Sequence, residues 1–232
     1  MSGAVLAAWG VHLYTALGAA LGFYALEATW RSDYRAAFLW MAGALFIDST
    51  DGSLARRVRV KQVLPQFDSA KLDDIVDYLN YVVVPVVLAY HAHLVPAGPR
   101  GLLIGSLPLL ASGYGFSQTD AKTDDHFFKG FPSYWNVVVF YFYALGTPNW
   151  FNVSALVVFS ILVFVPIRYL YPSRTPTARR TTYVLGGLWG LGLLFLLAQF
   201  PAPSRGLAWL SLYFPIYYMG MSLHLHLRND TR

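Results

Sequence analysis

"FIDSTDGSLARRVRVKQVLPQFDSAKLDDIVDYLN", residues Phe46 to Asn80, holds six of the chain's twelve acidic residues. On either side stand "FLWMAGALF" (38–46) and "YVVVPVVLAY" (81–90), apolar runs that read as membrane-buried helix. Ionisable groups set beside hydrocarbon are costly and usually functional. The stretch poses two questions: what kind of protein surrounds it, and what its carboxylates hold.

The chain has 232 residues, 56% hydrophobic, 17% aromatic and only 12% charged. A soluble domain carries about a quarter charged residues, so the composition points to an all-α polytopic membrane protein. Spans of about 20 mainly apolar residues divide it into a bundle of about eight transmembrane helices. These centre near 4–28, 34–55, 72–95, 101–117, 132–147, 151–171, 181–200 and 206–226. Short Pro/Gly-rich connections such as "GTPNW" (146–150) suit one domain over residues 1–232. The first span has no basic segment before it and is expected to be retained rather than cleaved as a signal peptide.

The formal net charge is +5, but the cations lie in short loops rather than on one solvated face, which argues against nucleic acid as a partner. Thirteen Lys/Arg fall in the loops after spans two, four and six and in the C-terminal tail, against four on the opposite side. Positive loops face the cytoplasm. That orientation is expected to place the opening stretch and both termini on the cytoplasmic side. Cysteine is absent, so thiolate metal sites are excluded.

Asp48 and Asp51 are spaced i, i+3 near the end of the second span; Asp73 and Asp77 are spaced i, i+4 at the start of the third. Each pair shares a helical face. Across a short connection the faces can meet, and four converging carboxylates repel unless cations lie between them. All-oxygen ligands suit Mg²⁺ or Mn²⁺. Solvated aspartates at a helix N-terminus are the bland alternative; it suits Asp73 and Asp74 better than Asp48 and Asp51, which end a span. Gly52 permits close approach to the helix, and Arg56 one turn on can fork onto a phosphate.

Asp48-x2-Asp51-Gly52-x2-Ala55-Arg56 followed by Asp73-x3-Asp77 resembles the signature of the CDP-alcohol phosphotransferases. The stretches "VLPQFDSAKLDDIVDYLNYVVVP" (63–85) and "AKTDDHFFKGFPSYWNVVVFY" (121–141) are similar to its phosphatidylcholine synthase branch. The resemblance implies that Asp48, Asp51, Asp73 and Asp77 bind two divalent cations, with Asp77 as general base. It implies CDP-diacylglycerol and choline as substrates, membrane lipids as surroundings, and is compatible with a homodimer. Gly52, Ala55 and Arg56 would face the nucleotide diphosphate, as would Ser69, which stands where the family has glycine.

Choline's quaternary ammonium has no N–H to donate, and aromatic faces hold such cations. Tyr78 and Tyr81 follow Asp77, and "FPSYWN" supplies Phe131, Tyr134, Trp135 and Asn136. A membrane protein also carries interfacial aromatic belts, so any one ring can be belt or core. The consecutive Asp124, Asp125 and His126 lie on different helical faces and read as loop. Three other readings stay open: a phosphatidyltransferase for serine, glycerol or inositol phosphate, a metal-ion transporter, and a non-catalytic membrane scaffold, which only Ser69 supports. Transporters place their sites near midplane, whereas these aspartates sit at one edge.

Overall fold

A computed structural model describes residues 2–121, 123, 127–172, 175 and 177–229. Capping sets where the first helices begin. In α1 (Gly3–Trp30), Ser2 Oγ accepts from Val5 N at 3.4 Å; in α2 (Tyr34–Val58), Asp33 Oδ1 accepts from Ala36 N at 3.0 Å. Such caps satisfy backbone donors that a helix start leaves open. The short connection folds α1 and α2 into a hairpin with the most extensive helix contact in the molecule.

The second helix ends where Arg59 turns left-handed (φ 57°), and a single turn, α3 (Val60–Val63), packs Val60 and the following Leu64 against Ala8 and Val11 of α1. The next helix starts at Asp68, whose Oδ1 accepts from the amides of Ala70 and Lys71 at 3.1 Å each. It then runs without a break through α4 (Ser69–Asp77), a π-helical segment (Tyr78–Val83) and α5 (Val84–His91). After it come α6 (Pro99–Ser117), β1 (Phe127–Lys129), α7 (Trp135–Leu145) and α8 (Asn149–Phe164). The described residues close with β2 (Arg168–Leu170), α9 (Arg179–Ala198), α10 (Arg205–Ser211) and α11 (Tyr213–Asn229).

The fold is helical with almost no sheet, as an all-α protein requires, and one expected span ends early. The expected span 151–171 ends at Phe164, because Pro166 cannot continue a helix and pushes Val165 into extended backbone (φ −84°, ψ 121°). Beyond it β2 pairs antiparallel with β1, Phe127 opposite Leu170 and Lys129 opposite Arg168. Gly130 turns the chain out of β1 at φ +81°, where an added Cβ would lie 2.2 Å from the Val163 carbonyl oxygen. Glycine alone fits there.

The core is aromatic. Phe38, Phe140, Tyr143 and Phe200 pack ring on ring between α2, α7 and the end of α9. The outside is apolar as well: α1 exposes Leu6, Leu13 and Phe23, and α9 exposes Leu188, Leu191 and Phe195. An apolar exterior this wide is tolerated in lipid, not in water, and marks a membrane protein. Among the described residues, α1 and α9 are each long and apolar enough to cross a membrane.

Candidate active site

The carboxylates converge as their spacing predicts for three of the four. Asp48 from α2 and Asp73 and Asp77 from α4 are half-buried, and each offers an oxygen within 4.8 Å of the others'. At an effective dielectric of about 20, each charged pair at that distance repels by roughly 3–4 kcal/mol. Three such terms rival the stability of a whole domain, so the cluster needs protons or cations. An all-carboxylate donor set at this separation fits a hard divalent ion such as Mg²⁺ or Mn²⁺.

Asp51 is held from α1. It is buried, and Oδ2 accepts a 2.8 Å hydrogen bond from the Thr15 hydroxyl of α1. One residue earlier on each helix, the Tyr14 and Thr50 hydroxyls lie 2.8 Å apart. Asp48 is oriented from the other side, since Tyr81 in the π-helical segment donates to its Oδ2 at 2.6 Å. Sequence spacing gave no signal for Thr15, because a lone threonine in an apolar helix looks like packing.

Around these groups, Gly52 lies within α2 where an added Cβ would meet Arg56 Nη1 at 3.3 Å. Ala55 is half-buried on the same helix. Arg56 is exposed, and its Nη2 donates to Ser53 Oγ at 3.1 Å. Ser69 is the half-buried first residue of α4. Its helical backbone does not require glycine. The Lys129 ammonium binds Asp120 at 2.6 Å on the exposed loop before β1 and holds that carboxyl below its ordinary range. Asp124, Asp125 and His126 lie outside the described residues.

The aromatic candidates divide by location. Tyr81 and Tyr134 meet edge to face at 6.3 Å beside Asp48, and Tyr134 continues to Tyr218 of α11 at 5.9 Å. Tyr218 in turn lies 6.3 Å from Tyr169 of β2 and donates to the Leu170 carbonyl at 2.9 Å. Tyr78 points elsewhere, donating to Leu109 O of α6 at 3.0 Å. Trp135 is fully enclosed, its indole N–H donating to Ser112 Oγ at 2.7 Å. Phe131 stacks on Phe159 at 4.8 Å, and buried Asn136 accepts from the Val137 amide. Tyr218 and Tyr169 had no sequence signal, being two of sixteen tyrosines and far along the chain from the aspartates.

No family model matches the chain. Individual relatives do. A phosphatidylcholine synthase of Legionella pneumophila is 43% identical over 226 residues, covering 94% of this chain and 87% of that protein. The Pseudomonas aeruginosa protein of the same name is 35% identical, with 93% and 90% covered, and that of Brucella melitensis 34%, with 94% and 79% covered. Carboxylates from two helices gathered at one point, in a helical membrane protein similar along nearly its whole length to these enzymes, leave one assignment: the chain belongs to the phosphatidylcholine synthase family of phospholipid-forming transferases.

Proposed function

We propose that the protein transfers the phosphatidyl group of CDP-diacylglycerol to choline, giving phosphatidylcholine and CMP. The observation that carries this reading is the Asp48–Asp73–Asp77 cluster within 4.8 Å in a chain of this family. Asp48, Asp51, Asp73 and Asp77 would hold two divalent cations, Mn²⁺ or Mg²⁺, which when bound supply charge stabilisation to the diphosphate and to departing CMP. Gly52 and Ala55 keep the α2 face low beside Asp51, Arg56 forks onto a phosphate, and the Ser69 hydroxyl faces the nucleotide.

Asp77 takes the proton from the choline hydroxyl as that oxygen bonds to phosphorus. The phosphorus–oxygen bond to CMP breaks, and CMP leaves with the electron pair. Thr15 and Tyr81 keep the α2 carboxylates in one orientation while this happens. The trimethylammonium end lies against the Tyr81, Tyr134 and Tyr218 rings, by cation–π attraction. Phe131, Trp135 and Asn136 act by packing around the start of α7, and Tyr78 by tying its own helix to α6.

The whole chain works as one domain in this reading, a bundle of eight spans in the inner membrane with the aspartates at the cytoplasmic edge. The positive loops on that edge support the orientation. The test is purified protein in lipid with CDP-diacylglycerol, Mn²⁺ or Mg²⁺, and choline, serine, glycerol or inositol phosphate given separately. CMP release and lipid product are expected with choline alone, and none after EDTA until metal is restored. Full turnover in EDTA would sink the two-metal reading; product with another alcohol would reassign the acceptor.

A further inference from the structure

The reading above gives no role to the wide turn that follows Asp77. Residues Tyr78–Val83 are π-helical, with the Val84 amide donating to Leu79 O five residues back. Such turns are rare and are frequently found at functional sites. Within the turn, Asn80 is only 4% exposed. Its Nδ2 donates at 3.0 Å to Gly18 O of α1 and at 3.0 Å to Val76 O of its own helix. Both amide hydrogens are used, while among the described residues its Oδ1 finds no partner; donor bonds shared between two helices favour a single arrangement of the pair.

The surface it meets on α1 has no side chains. An added Cβ at Gly18 would lie 2.7 Å from Val76 Cγ1, and one at Gly22 would lie 2.8 Å from Asn80 Oδ1. Small residues spaced by four let helix backbones approach closely. One turn before Gly18, Thr15 binds Asp51; one turn before Asn80 stands Asp77. The α2 and α4 helices each pack more extensively on α1 than on one another. The first helix is therefore the common frame for aspartates that come from two others.

We propose that Asn80 is a positioning residue that locks α4 to α1 through Gly18 and Gly22. By way of the Thr15–Asp51 bond it also sets the register of Asp73 and Asp77 against Asp48. The link from register to cation binding rests on the metal-dependent reading above; the register itself does not.

The cysteine-free chain allows a direct test on the full-length protein. Spin labels at Leu54→Cys on α2 and Ile75→Cys on α4, both exposed, report the α2–α4 distance, and electron paramagnetic resonance of free Mn²⁺ reports binding without turnover. Asn80→Leu and Gly22→Ala should each shift or broaden that distance and weaken Mn²⁺ binding about tenfold, the scale of a lost supporting contact at a metal site. Gly10→Ala on the same helix, where an added Cβ meets nothing within 4 Å, should change neither. An unchanged distance in both variants overturns the proposal; a shifted distance beside unaltered Mn²⁺ affinity overturns the link from register to cation binding. If the unsubstituted protein binds no Mn²⁺ while the variants still shift the distance, the metal reading fails and the register claim stands.

Discussion

Asp74 and Asp77 are three residues apart on α4, about 60° around the helix, and only Asp77 belongs to the carboxylate triplet. We expect Asp77→Asn to abolish phosphatidylcholine formation in a protein that still folds. Loss of a general base alone costs about 10²–10⁴ in rate. Asp74→Asn should retain substantial activity; the reverse pattern in a CMP-release assay would mean that the register of the site is misassigned. On the acceptor side, Tyr218→Leu should raise the choline KM up to about thirtyfold over that for CDP-diacylglycerol, the equivalent of about 2 kcal/mol of cation–π contact. Trp135→Ala should behave differently, lowering thermal stability by about 3–5 kcal/mol with both KM values moving together. A choline-selective effect there would place Trp135 against the substrate. The aspartates were legible in the sequence because helical spacing alone puts each pair on one face. Thr15, Asn80 and Tyr218 were not, because their meaning lies in a partner tens of residues away, and nothing local marks it.

Elements are governed by their ends. Asp68 caps α4 through two amides, so Asp68→Ala should cost about 0.5–2 kcal/mol, read as a lower unfolding midpoint. Ser69→Gly places glycine at the first position of that helix, and activity should survive it; loss of turnover would give the hydroxyl a positive role. Gly130→Val should be far more damaging, since its Cβ would be driven into the Val163 carbonyl at a left-handed backbone position. A folded, active Gly130→Val protein would show that the ribbon can be dispensed with. The expected helix to residue 171 failed because an apolar run was measured by its length. Pro166 was the signal within it.

For the whole molecule, hydropathy located the helices well and their lengths less well. The expected 132–147 span is an 11-residue helix, α7, entered by an irregular segment that packs its aromatics on α6 and α8. Periodicity cannot see a bend that packing imposes. The eight-span orientation is open to test because the chain has no cysteine of its own. Single cysteines between residues 60 and 68 should react with a membrane-impermeant thiol reagent only from the cytoplasmic side. Those at 31–33 or 201–204 should react only from the opposite side, and labelling of both groups from one face would refute the topology. The tyrosine contact that runs from Tyr81 through Tyr134 to Tyr218 also has a consequence in time. A ribosome delivers the aspartates early and Tyr218 late, with the intervening helices inserted between the two events. Under the proposed reading, the nascent protein can gather its carboxylates long before it can seat choline, so a stalled or truncated translation product is left without its acceptor site.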